Sequence, residues 1–261
     1  MDITGKTKLF PIIGSPVDTV FSPGAFNEFF RGKGIDARMI ALEIPSDALG
    51  DFWALLRASS SFLGCSVTYP HKQAAFGQVD ALTPRASRLG AINTINRGPD
   101  GRLTGDATDG VAMRAALRAA GGSVRGKTAV ILGAGGGAGQ AIADAFCEAG
   151  IRQLCLIEPD DGRRAAVVDM IAIHWPDVSC TEQRAGAEIL VNATTLGKSA
   201  DDAVPFGEDD LEQAEIVCDV VTGPSVPPLL LGAEQRGALT VSGAQMGAQQ
   251  IPAQLSFIGQ V

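Results

Sequence analysis

The sequence predicts an α/β protein of two domains, an N-terminal α/β domain followed by a C-terminal Rossmann-like domain. Short apolar runs alternate with helical patterns along the whole chain, which is typical of βαβ units around a parallel sheet. A glycine-rich turn at residues 133–139 joins an apolar strand pattern to a helix pattern, as in Rossmann-like domains. With 261 residues the chain has room for two small domains, each with its own core.

The first half of the chain contains two strand–helix pairs followed by a strand, a short helix and a hairpin. Ser46 is predicted to cap the second helix, because the apolar residues after it fall on one helical face. Glycine, proline and aspartate at residues 98–101 predict the hairpin turn. The predicted elements are strand 9–14, helix 23–31, strand 38–44, helix 46–58, strand 62–69, a short helix after Pro70, and hairpin strands 91–96 and 102–105.

The second half begins with an alanine-rich helix that ends at a pair of glycines, and the domain boundary is placed at the start of this helix. Apolar runs downstream predict a parallel sheet. The predicted elements are helix 109–120, strands 127–132, 153–158, 188–193 and 216–221, and helix 244–258. The predicted domains are therefore 1–108 and 109–243, with residues 244–261 packing back onto the first.

Composition and charge exclude several classes of protein. The net charge of -8 and the pI near 4.8 repel phosphate backbones, so we expect no nucleic-acid partner. No apolar run reaches the length of about eighteen residues that a membrane span needs, and the first residues lack a signal-peptide pattern, which predicts a cytoplasmic protein. Scattered cysteines without a C-x-x-C pair, and two distant histidines, His71 and His174, predict neither a disulfide framework nor a metal site.

The glycine-rich turn is the strongest candidate binding site. Glycines let the backbone approach a pyrophosphate closely, and the N-terminus of the following helix offers free N–H groups. Glu158 ends the next predicted strand, where an acidic side chain accepts hydrogen bonds from an adenosine ribose, and this favours NAD. Arg163 and Arg164 follow closely and could reach a 2′-phosphate, which keeps NADP as the alternative. The predicted cofactor-binding residues here are Gly133, Ala134, Gly135, Gly136, Gly137, Ala138 and Glu158.

Lys72 and Asp109 are the candidates for proton transfer. Oxidation of a secondary alcohol needs a group that takes the hydroxyl proton as hydride leaves. Lys72 follows a predicted strand and Asp109 opens the alanine-rich helix, and both lie upstream of the glycine-rich turn. From the residues alone, the pair either transfers the proton or holds and polarises the substrate hydroxyl. Together with the nucleotide-binding turn, the pair predicts a dehydrogenase.

Several short segments, in order along the chain, resemble the shikimate/quinate dehydrogenase family. Residues 66–72, Ser-Val-Thr-Tyr-Pro-His-Lys, are similar to the family's Asn-Val-Thr-x-Pro-Phe-Lys, and residues 105–110, Gly-Asp-Ala-Thr-Asp-Gly, to its Gly-x-Asn-Thr-Asp-Gly. The resemblance runs from Ile13 to Gln250 and implies reversible oxidation of a ring secondary alcohol in a cyclic polyol acid by NAD or NADP. Further family segments resemble residues 14–27, 91–95, 191–197, 218–222 and 243–250.

The resemblance assigns roles to matching positions of this chain. It implies Lys72 as the catalytic lysine and Asp109 as the catalytic aspartate. The first domain becomes the substrate domain and the second the dinucleotide-binding domain. The implied substrate contacts are Ser22, Thr68, Asn93 and Gln250. The implied cofactor contacts outside the glycine-rich turn are Thr194, Val220 and Gly243.

Four positions depart from the family pattern on the substrate side. Val20 stands where the family has one of two carboxylate-binding serines, Ser66 and Ala107 replace asparagines, and Thr222 replaces a tyrosine. These changes remove polar groups, so quinate, aminoshikimate or a cyclitol is an alternative to shikimate. A non-catalytic ligand sensor is the alternative from another class. The sequence is compatible with a monomer or a homodimer.

Overall fold

The chain divides into two compact units, Met1–Thr108 with Gln250–Val261, and Asp109–Gln249. The structure is a computed structural model that describes residues 2–182, 184, 186–198, 202–223 and 226–260. Each unit combines a six-stranded sheet with helices. The α/β fold class predicted from the sequence is confirmed.

In the first unit, strands alternate with helices along the chain, as the sequence predicted. Its strands are β1 (Lys8–Leu9), β2 (Ile12–Gly14), β3 (Ala37–Arg38), β4 (Ala41–Glu43), β5 (Gly64–Val67), β6 (Ala81–Leu82), β7 (Thr94–Arg97) and β8 (Leu103–Asp106). Its helices are α1 (Ser22–Lys33), α2 (Leu49–Ala58), α3 (Lys72–Phe76), α4 (Pro84–Leu89) and the second half of the last helix, Gly243–Phe257.

The main sheet of the first unit is mixed, with the strand order β4-β2-β5-β7-β8-β6. β7 runs antiparallel to both β5 and β8, whereas the other pairs are parallel. The sequence predicted the hairpin of β7 and β8, whose strands run antiparallel because a short turn joins them. The antiparallel pairing of β7 with β5 departs from the parallel sheet that the βαβ pattern predicted. β1 and β3 form a separate parallel pair.

Helices cover both faces of this sheet. Neighbouring side chains of a strand point to opposite faces. Ile13 accordingly belongs to a core that includes Trp53 of α2, and Ile12 to a second core with Phe30 of α1 and Leu255 of the last helix. The second core is the reason that the C-terminal residues group with the first unit.

The second unit is a parallel sheet with helices between its strands. Its strands are β9 (Thr128–Leu132), β10 (Gln153–Ile157), β11 (Ser179–Thr181), β12 (Ile189–Asn192), β13 (Ile216–Asp219) and β14 (Leu239–Val241). Its helices are α5 (Asp109–Ala119), α6 (Gly137–Glu148), α7 (Asp161–His174), α8 (Glu208–Gln213), α9 (Pro228–Gln235) and the first half of α10 (Gly243–Phe257).

The strand order of the second sheet is β11-β10-β9-β12-β13-β14, with parallel pairing throughout. From β9 the chain adds β10 and β11 on one side, and it then returns to the other side of β9 to add β12, β13 and β14. The order of strand addition therefore switches between β9 and β12. In open α/β sheets, ligands bind beyond the carboxyl ends of the strands at such a switch. Ile131 and Val130 of β9 point to opposite faces, into two different cores, so both faces of the sheet are buried.

The first unit differs from the sequence prediction in several details, one of which is that the strand predicted at 38–44 is divided into β3 and β4. The strand predicted at 9–14 is divided into β1 and β2 at Pro11, which has no N–H for a sheet hydrogen bond. Ser46 does not cap a helix. It begins a 3₁₀ turn, Ser46–Ala48, and α2 starts only at Leu49, with no side-chain hydrogen bond at its cap.

The last helix contributes residues to both units. The sequence placed residues 244–261 with the first domain, whereas residues up to Gln249 group with the second unit and only the residues from Gln250 onward group with the first. The helix is continuous across this point. The boundary between the units therefore falls inside a helix, where local sequence gives no turn signal.

Candidate functional site

In the first unit, polar side chains gather at one edge of the main sheet. β2, β5 and β8 end at this edge and β7 begins there, because Ser66 pairs with Thr94 and Thr94 with Asp106. Thr68 follows β5. Asn93 precedes β7, and its main-chain N–H donates to the carbonyl oxygen of Asp106 at 3.0 Å. Two predicted substrate contacts, Thr68 and Asn93, thus lie at the same edge.

Asn93 is the centre of a buried hydrogen-bond cluster. Its Oδ1 accepts from the Thr108 amide at 2.8 Å, from the Thr108 hydroxyl at 3.1 Å and from the Thr94 hydroxyl at 3.0 Å. Because all three donors meet the carbonyl end of the amide, they fix its orientation. The sequence predicted Asn93 but neither threonine, although the Thr-Asp pair of the 105–110 segment contains Thr108.

Asp106 is a fully buried carboxylate that the sequence did not single out. Arg85 donates to both of its oxygens, with Nε 2.7 Å from Oδ1 and Nη2 bonded to Oδ2. The Thr83 hydroxyl donates at 2.5 Å and the Ala107 amide at 2.9 Å. These bonds offset the cost of burying the charge. Asp106 therefore anchors the loop that leads to Thr108.

Lys72 and Ser22 each open a helix in the first unit. Lys72 is the first residue of α3 and is half-buried. His71 beside it is buried, and its Nε2 lies 2.7 Å from the carbonyl oxygen of Ile44, which ties this loop to the end of β4. Ser22 begins α1, and Gln250 lies in the part of α10 that groups with this unit; both are half-buried.

Asp109 is the first residue of α5 and is 5% exposed. A Cβ on the next residue, Gly110, would lie 1.9 Å from the carbonyl oxygen of Ala141, so α5 packs directly on the backbone of α6. This contact fixes Asp109 relative to the helix that follows the glycine-rich turn. Lys72 belongs to the first unit and Asp109 to the second, and their cooperation stays a prediction.

The glycine-rich turn forms a cradle lined by backbone atoms. A Cβ at Gly139 would lie 2.2 Å from the carbonyl oxygen of Gly133, and one at Gly133, where φ is +80°, would lie 2.7 Å from Cγ2 of Thr194. α6 begins at Gly137, so the unpaired N–H groups of its first turn adjoin the cradle. A side chain at Gly133 or Gly139 would collide with these atoms, so the turn is built from glycine and its backbone stays accessible. Glycine backbone next to free N–H groups of a helix fits the pyrophosphate of a dinucleotide.

Glu158, at the end of β10, is bound to the glycine-rich turn. Its Oε2 accepts from the Gly135 amide at 3.0 Å, and its Oε1 accepts from the Asp160 amide at 3.2 Å. Arg163 lies 3.7 Å from the Asp160 carboxylate, and Arg164 pairs with two acidic side chains, Asp161 at 3.2 Å and Glu182 at 3.4 Å. Both arginines are therefore engaged by neighbouring carboxylates.

The segment that contains Thr194 is held by a buried amide. Asn192 Oδ1 accepts from the Thr194 hydroxyl at 2.7 Å and from the Thr194 amide at 3.1 Å. Asn192 Nδ2 donates to the carbonyl oxygen of Leu196 at 3.0 Å and to Oδ1 of Asp219 at 3.1 Å. Neither Asn192 nor Asp219 was predicted as a site residue, although both lie in segments that resemble the family.

Asp219 is fully buried at the end of β13. Its Oδ1 also accepts from the Val221 amide at 2.8 Å, whereas among the described residues its Oδ2 has no hydrogen-bond partner. Burial raises the pKa of Asp219 from 3.8 to about 6, against the lowering effect of the hydrogen bonds from Val221 and Asn192. Nearby, Gly243 opens α10, and a Cβ there would lie 2.5 Å from the carbonyl oxygen of Val220.

The four positions that depart from the family pattern have different surroundings. Ser66 is buried, and its hydroxyl lies 3.4 Å from the carbonyl oxygen of Asn93, so it is turned toward the main chain. Ala107 is buried and Val20 packs against an apolar core. Thr222 is exposed and belongs to the second unit. None of the three substitutions in the first unit restores the polar group that the family has there.

Other features of the described residues concern metals, membranes and thiols. No group of three or more His, Cys, Asp or Glu side chains in the described part of the chain is arranged to hold a metal ion. No helix in that part is long and apolar enough to cross a membrane. All five cysteines are free thiols, and Cys180 is the exposed one among them.

Comparisons with known proteins agree with this arrangement. A family model described as the shikimate dehydrogenase substrate binding domain matches residues 12–95. Among curated proteins, the shikimate dehydrogenase (NADP(+)) of Rhodospirillum rubrum is 37% identical over 254 residues, which cover 94% of this chain and 89% of that relative.

Solved structures similar to this chain include two with different named substrates. Shikimate 5-dehydrogenase from Listeria monocytogenes, in complex with shikimate and NAD, is 30% identical, with a TM-score of 0.86 over 100% of this chain and 98% of that one. The 5-ketofructose reductase of Gluconobacter sp. strain CHM43 is 25% identical, with a TM-score of 0.88 over 97% and 93% of the two chains.

Proposed function

The chain belongs to the shikimate dehydrogenase family, and on that premise we propose that it is an NAD(P)-dependent oxidoreductase that interconverts shikimate, or a close ring analogue, and the corresponding 3-ketone. The observation that carries the proposal is the presence in one chain of a backbone cradle at Gly133 to Gly139 and a buried, oriented amide at Asn93. The backbone cradle offers N–H groups to the pyrophosphate of a dinucleotide, and the oriented amide offers a hydrogen bond to a ring hydroxyl. Such a reaction belongs to aromatic amino acid biosynthesis.

The substrate is proposed to bind at the sheet edge of the first unit. Thr68 and Asn93 follow and precede neighbouring strands there, and they supply a hydroxyl and an amide. Ser22 supplies a donor for the substrate carboxylate, and Gln250 an amide for a ring hydroxyl. Support comes from the fixed side chain of Asn93, because an oriented donor loses less entropy on binding than a mobile one.

Lys72 and Asp109 are proposed to manage the hydroxyl proton. When bound, the nicotinamide ring accepts a hydride from the alcohol carbon or returns one to the ketone carbon. As the alcohol is oxidised, Lys72, assisted by Asp109, takes the proton from its hydroxyl oxygen. In the reverse direction the same pair returns a proton to the ketone oxygen. Proton transfer of this kind accounts for about 10²- to 10⁴-fold in rate.

NAD is proposed as the preferred cofactor, with NADP as the alternative. Glu158 places a carboxylate beside the turn amide of Gly135, where the 2′-phosphate of NADP would meet its negative charge. Arg163 and Arg164 are engaged by Asp160, Asp161 and Glu182. The curated relative from Rhodospirillum rubrum is named for NADP(+), so this chain is expected to differ from it.

The test is a spectrophotometric screen of the purified protein with shikimate, quinate, aminoshikimate and several cyclitols, each with NAD and with NADP. We expect reduction of NAD with shikimate or with one of its analogues. Binding of a substrate without any change in nicotinamide absorbance would contradict the enzyme and support a ligand sensor.

A second candidate substrate class is favoured by Val20, Ser66 and Ala107. These residues lack the polar groups of the family pattern, and the losses fall at the substrate side of the first unit. Loss of a donor to a charged group costs roughly 1.5–3 kcal/mol, which is about ten- to a hundredfold in affinity. A neutral cyclitol or a ketose-like polyol would pay no such cost. In the same screen, a higher kcat/KM for a neutral polyol than for shikimate identifies this candidate.

A cytoplasmic location and a monomeric or homodimeric state are also proposed. All five cysteines are free thiols, which suits a reducing compartment. Cell fractionation tests the location, and sedimentation of the purified protein tests the oligomeric state.

A further inference from the structure

We propose that Asp219 is a positioning residue of the cofactor site, which acts through Asn192 to hold Thr194 beside the first glycine of the turn. The inference rests on the proposed use of a dinucleotide by this unit. None of the relatives' names assigns a role to this carboxylate. The residues concerned all lie in the second unit, at the carboxyl ends of adjacent parallel strands.

Asp219 pairs with Asn192 across two adjacent strands. The two residues are directly opposite each other in the register of β12 and β13. An ionised carboxylate only accepts hydrogen bonds, so the asparagine atom that faces it must be the NH₂ group. Asn192 Nδ2 lies 3.1 Å from Asp219 Oδ1. Asp219 therefore selects one of the two orientations that the Asn192 amide could take.

Asn192 in turn holds Thr194. With its NH₂ group toward Asp219, Asn192 presents Oδ1 to the following segment, where the Thr194 hydroxyl and amide both donate to it, at 2.7 and 3.1 Å. The Thr194 hydroxyl then accepts from the Leu196 amide at 3.1 Å. If the Asn192 amide were reversed, its NH₂ group would face the hydroxyl and the main-chain N–H of Thr194. Three donors would then meet without an acceptor. The conformation of the segment thus depends on the acceptor at position 219.

The segment that Asn192 holds adjoins the glycine-rich turn. The methyl group of Thr194 lies 2.7 Å from where a Cβ on Gly133 would be, so it forms one wall of the turn. A displaced Thr194 would open that wall. Asp219 reaches this wall through Asn192, and its Oδ1 separately accepts from the Val221 amide, so Asn192→Ala tests the route through Asn192 alone.

The cost of the arrangement supports a functional reason for keeping it. Asp219 is fully buried, and its Oδ2 has no hydrogen-bond partner among the described residues. A buried, unsatisfied carboxylate oxygen destabilises a fold, and such groups in native structures call for an explanation. Packing alone would be served better by an apolar residue, whereas orientation of Asn192 needs an acceptor.

The experiment compares Asp219→Asn, which keeps an acceptor, with Asp219→Val, which removes it. Two readouts are used: the Kd for NADH, from fluorescence titration, and hydrogen exchange of residues 192–198, from mass spectrometry without cofactor. In Asp219→Val we expect exchange of this segment to increase and the Kd to rise about tenfold, the effect of losing one hydrogen bond to a charged group. In Asp219→Asn we expect both quantities to stay within about twofold of wild type.

The matched control is Asp144→Val, which removes another buried carboxylate of the same unit. Asp144 is buried on α6, where it accepts from the indole N–H of Trp175 at 2.8 Å, whereas the 192–198 segment begins at the last residue of β12. This variant is expected to lose stability and to keep the wild-type Kd. If Asp219→Val does not fold, Asn192→Ala breaks the same link from its other end and is expected to give the same two changes.

Two results would overturn the proposal. One is wild-type exchange and Kd in Asp219→Val, or in Asn192→Ala where that variant replaces it. The other is an Asp219→Asn variant as impaired as Asp219→Val, because the charge and not the acceptor would then matter. If the wild-type protein binds neither NADH nor NADPH, the proposed function fails, while the exchange measurement still decides whether Asp219 positions the segment.

Discussion

Lys72 is the residue on which the proposed proton transfer depends most directly. Replacement by alanine removes the group that takes the hydroxyl proton but leaves Thr68 and Asn93 in place. We expect kcat of Lys72→Ala to fall by about 10²- to 10⁴-fold. Because the lost interaction is made mainly in the transition state, KM for the substrate should change only a few-fold. Steady-state kinetics in both directions measure the two parameters.

A suitable control for this variant is Lys8→Ala. Lys8 is also half-buried in the first unit, and its Nζ donates to the carbonyl oxygen of Ser60 at 2.8 Å. It lies on β1, outside the main sheet. Its kcat should match wild type, and a near-normal kcat in Lys72→Ala as well would show that another group moves the proton.

Glu158 is the residue proposed to set the choice between the two nicotinamide cofactors. Glu158→Gln keeps an oxygen that accepts from the Gly135 amide but removes the negative charge. We expect the ratio of kcat/KM for NADP to that for NAD to rise about tenfold, since a carboxylate no longer repels the 2′-phosphate. Glu148→Gln, a surface substitution in the last turn of α6, should leave the ratio unchanged. An unchanged ratio in Glu158→Gln would locate cofactor discrimination elsewhere.

Local sequence patterns could identify some residues of the candidate site but not their partners. Thr68, Lys72 and Asn93 stand in short segments that can be recognised one at a time. The buried charge of Asp106, in contrast, is balanced by Arg85, which lies 21 positions earlier in the chain. Only the pairing of β6 with β8 brings the two side chains together. Asn192 and Asp219 are likewise 27 positions apart. Contacts of this kind depend on strand register, which one sequence does not reveal.

At the scale of elements, the central strands of the second unit were predicted well. The strands predicted at 153–158, 188–193 and 216–221 are observed as β10, β12 and β13 with ends shifted by one or two residues. Strands buried on both faces read as continuous apolar runs, which is a strong signal. β6 and β3, with two residues each, are too short to give such a signal, because β6 is defined by its pairing with β8 and β3 by its pairing with β1, another two-residue strand.

The contact between β9 and α6 sets the shape of the glycine-rich turn. A Cβ at Gly139 would lie 2.2 Å from the carbonyl oxygen of Gly133, so Gly139→Ala must push α6 away from the turn. We expect a loss of roughly 1–3 kcal/mol in the free energy of unfolding. NADH binding should weaken as well, because the N–H groups of the first helical turn move. Urea denaturation and fluorescence titration measure the two effects.

Gly232→Ala is the matched helical control for this variant. Gly232 lies within α9 of the same unit, and a Cβ there would meet its nearest atom, in Leu211, at 3.5 Å, an ordinary contact. The free energy of unfolding should rise by up to about 1 kcal/mol, since alanine favours a helix over glycine. Equal stability and cofactor affinity in Gly139→Ala and Gly232→Ala would show that α6 does not need to approach the turn so closely.

At the scale of the whole molecule, two carboxylates respond to pH in opposite directions. The Arg57 guanidinium, hydrogen-bonded to Asp80 in the first unit, lowers the pKa of that carboxyl below its ordinary 3.8. Asp80 thus stabilises the fold above this pH and loses the effect as pH falls. Burial raises the pKa of Asp219 in the second unit to about 6. Asp219 thus stabilises the fold when protonated, fully below about pH 3.8, and loses the effect as pH rises through 6.

Asp219→Asn isolates the second effect, because its side chain resembles the protonated acid at every pH. We expect wild type and variant to be about equally stable near pH 4, where Asp219 is protonated in the folded protein. As pH rises, the variant should become more stable than wild type, by about 3 kcal/mol at pH 7. This difference corresponds to the rise in the pKa of Asp219 from 3.8 to about 6. Urea denaturation of the full chain at several pH values, for wild type and variant, measures the difference, in which the contribution of Asp80 cancels. A difference independent of pH would mean that the pKa of Asp219 is the same in the folded and unfolded states. Its Oδ2 would then have a partner in solution, and the burial cost invoked for keeping an acceptor at this position would be correspondingly smaller.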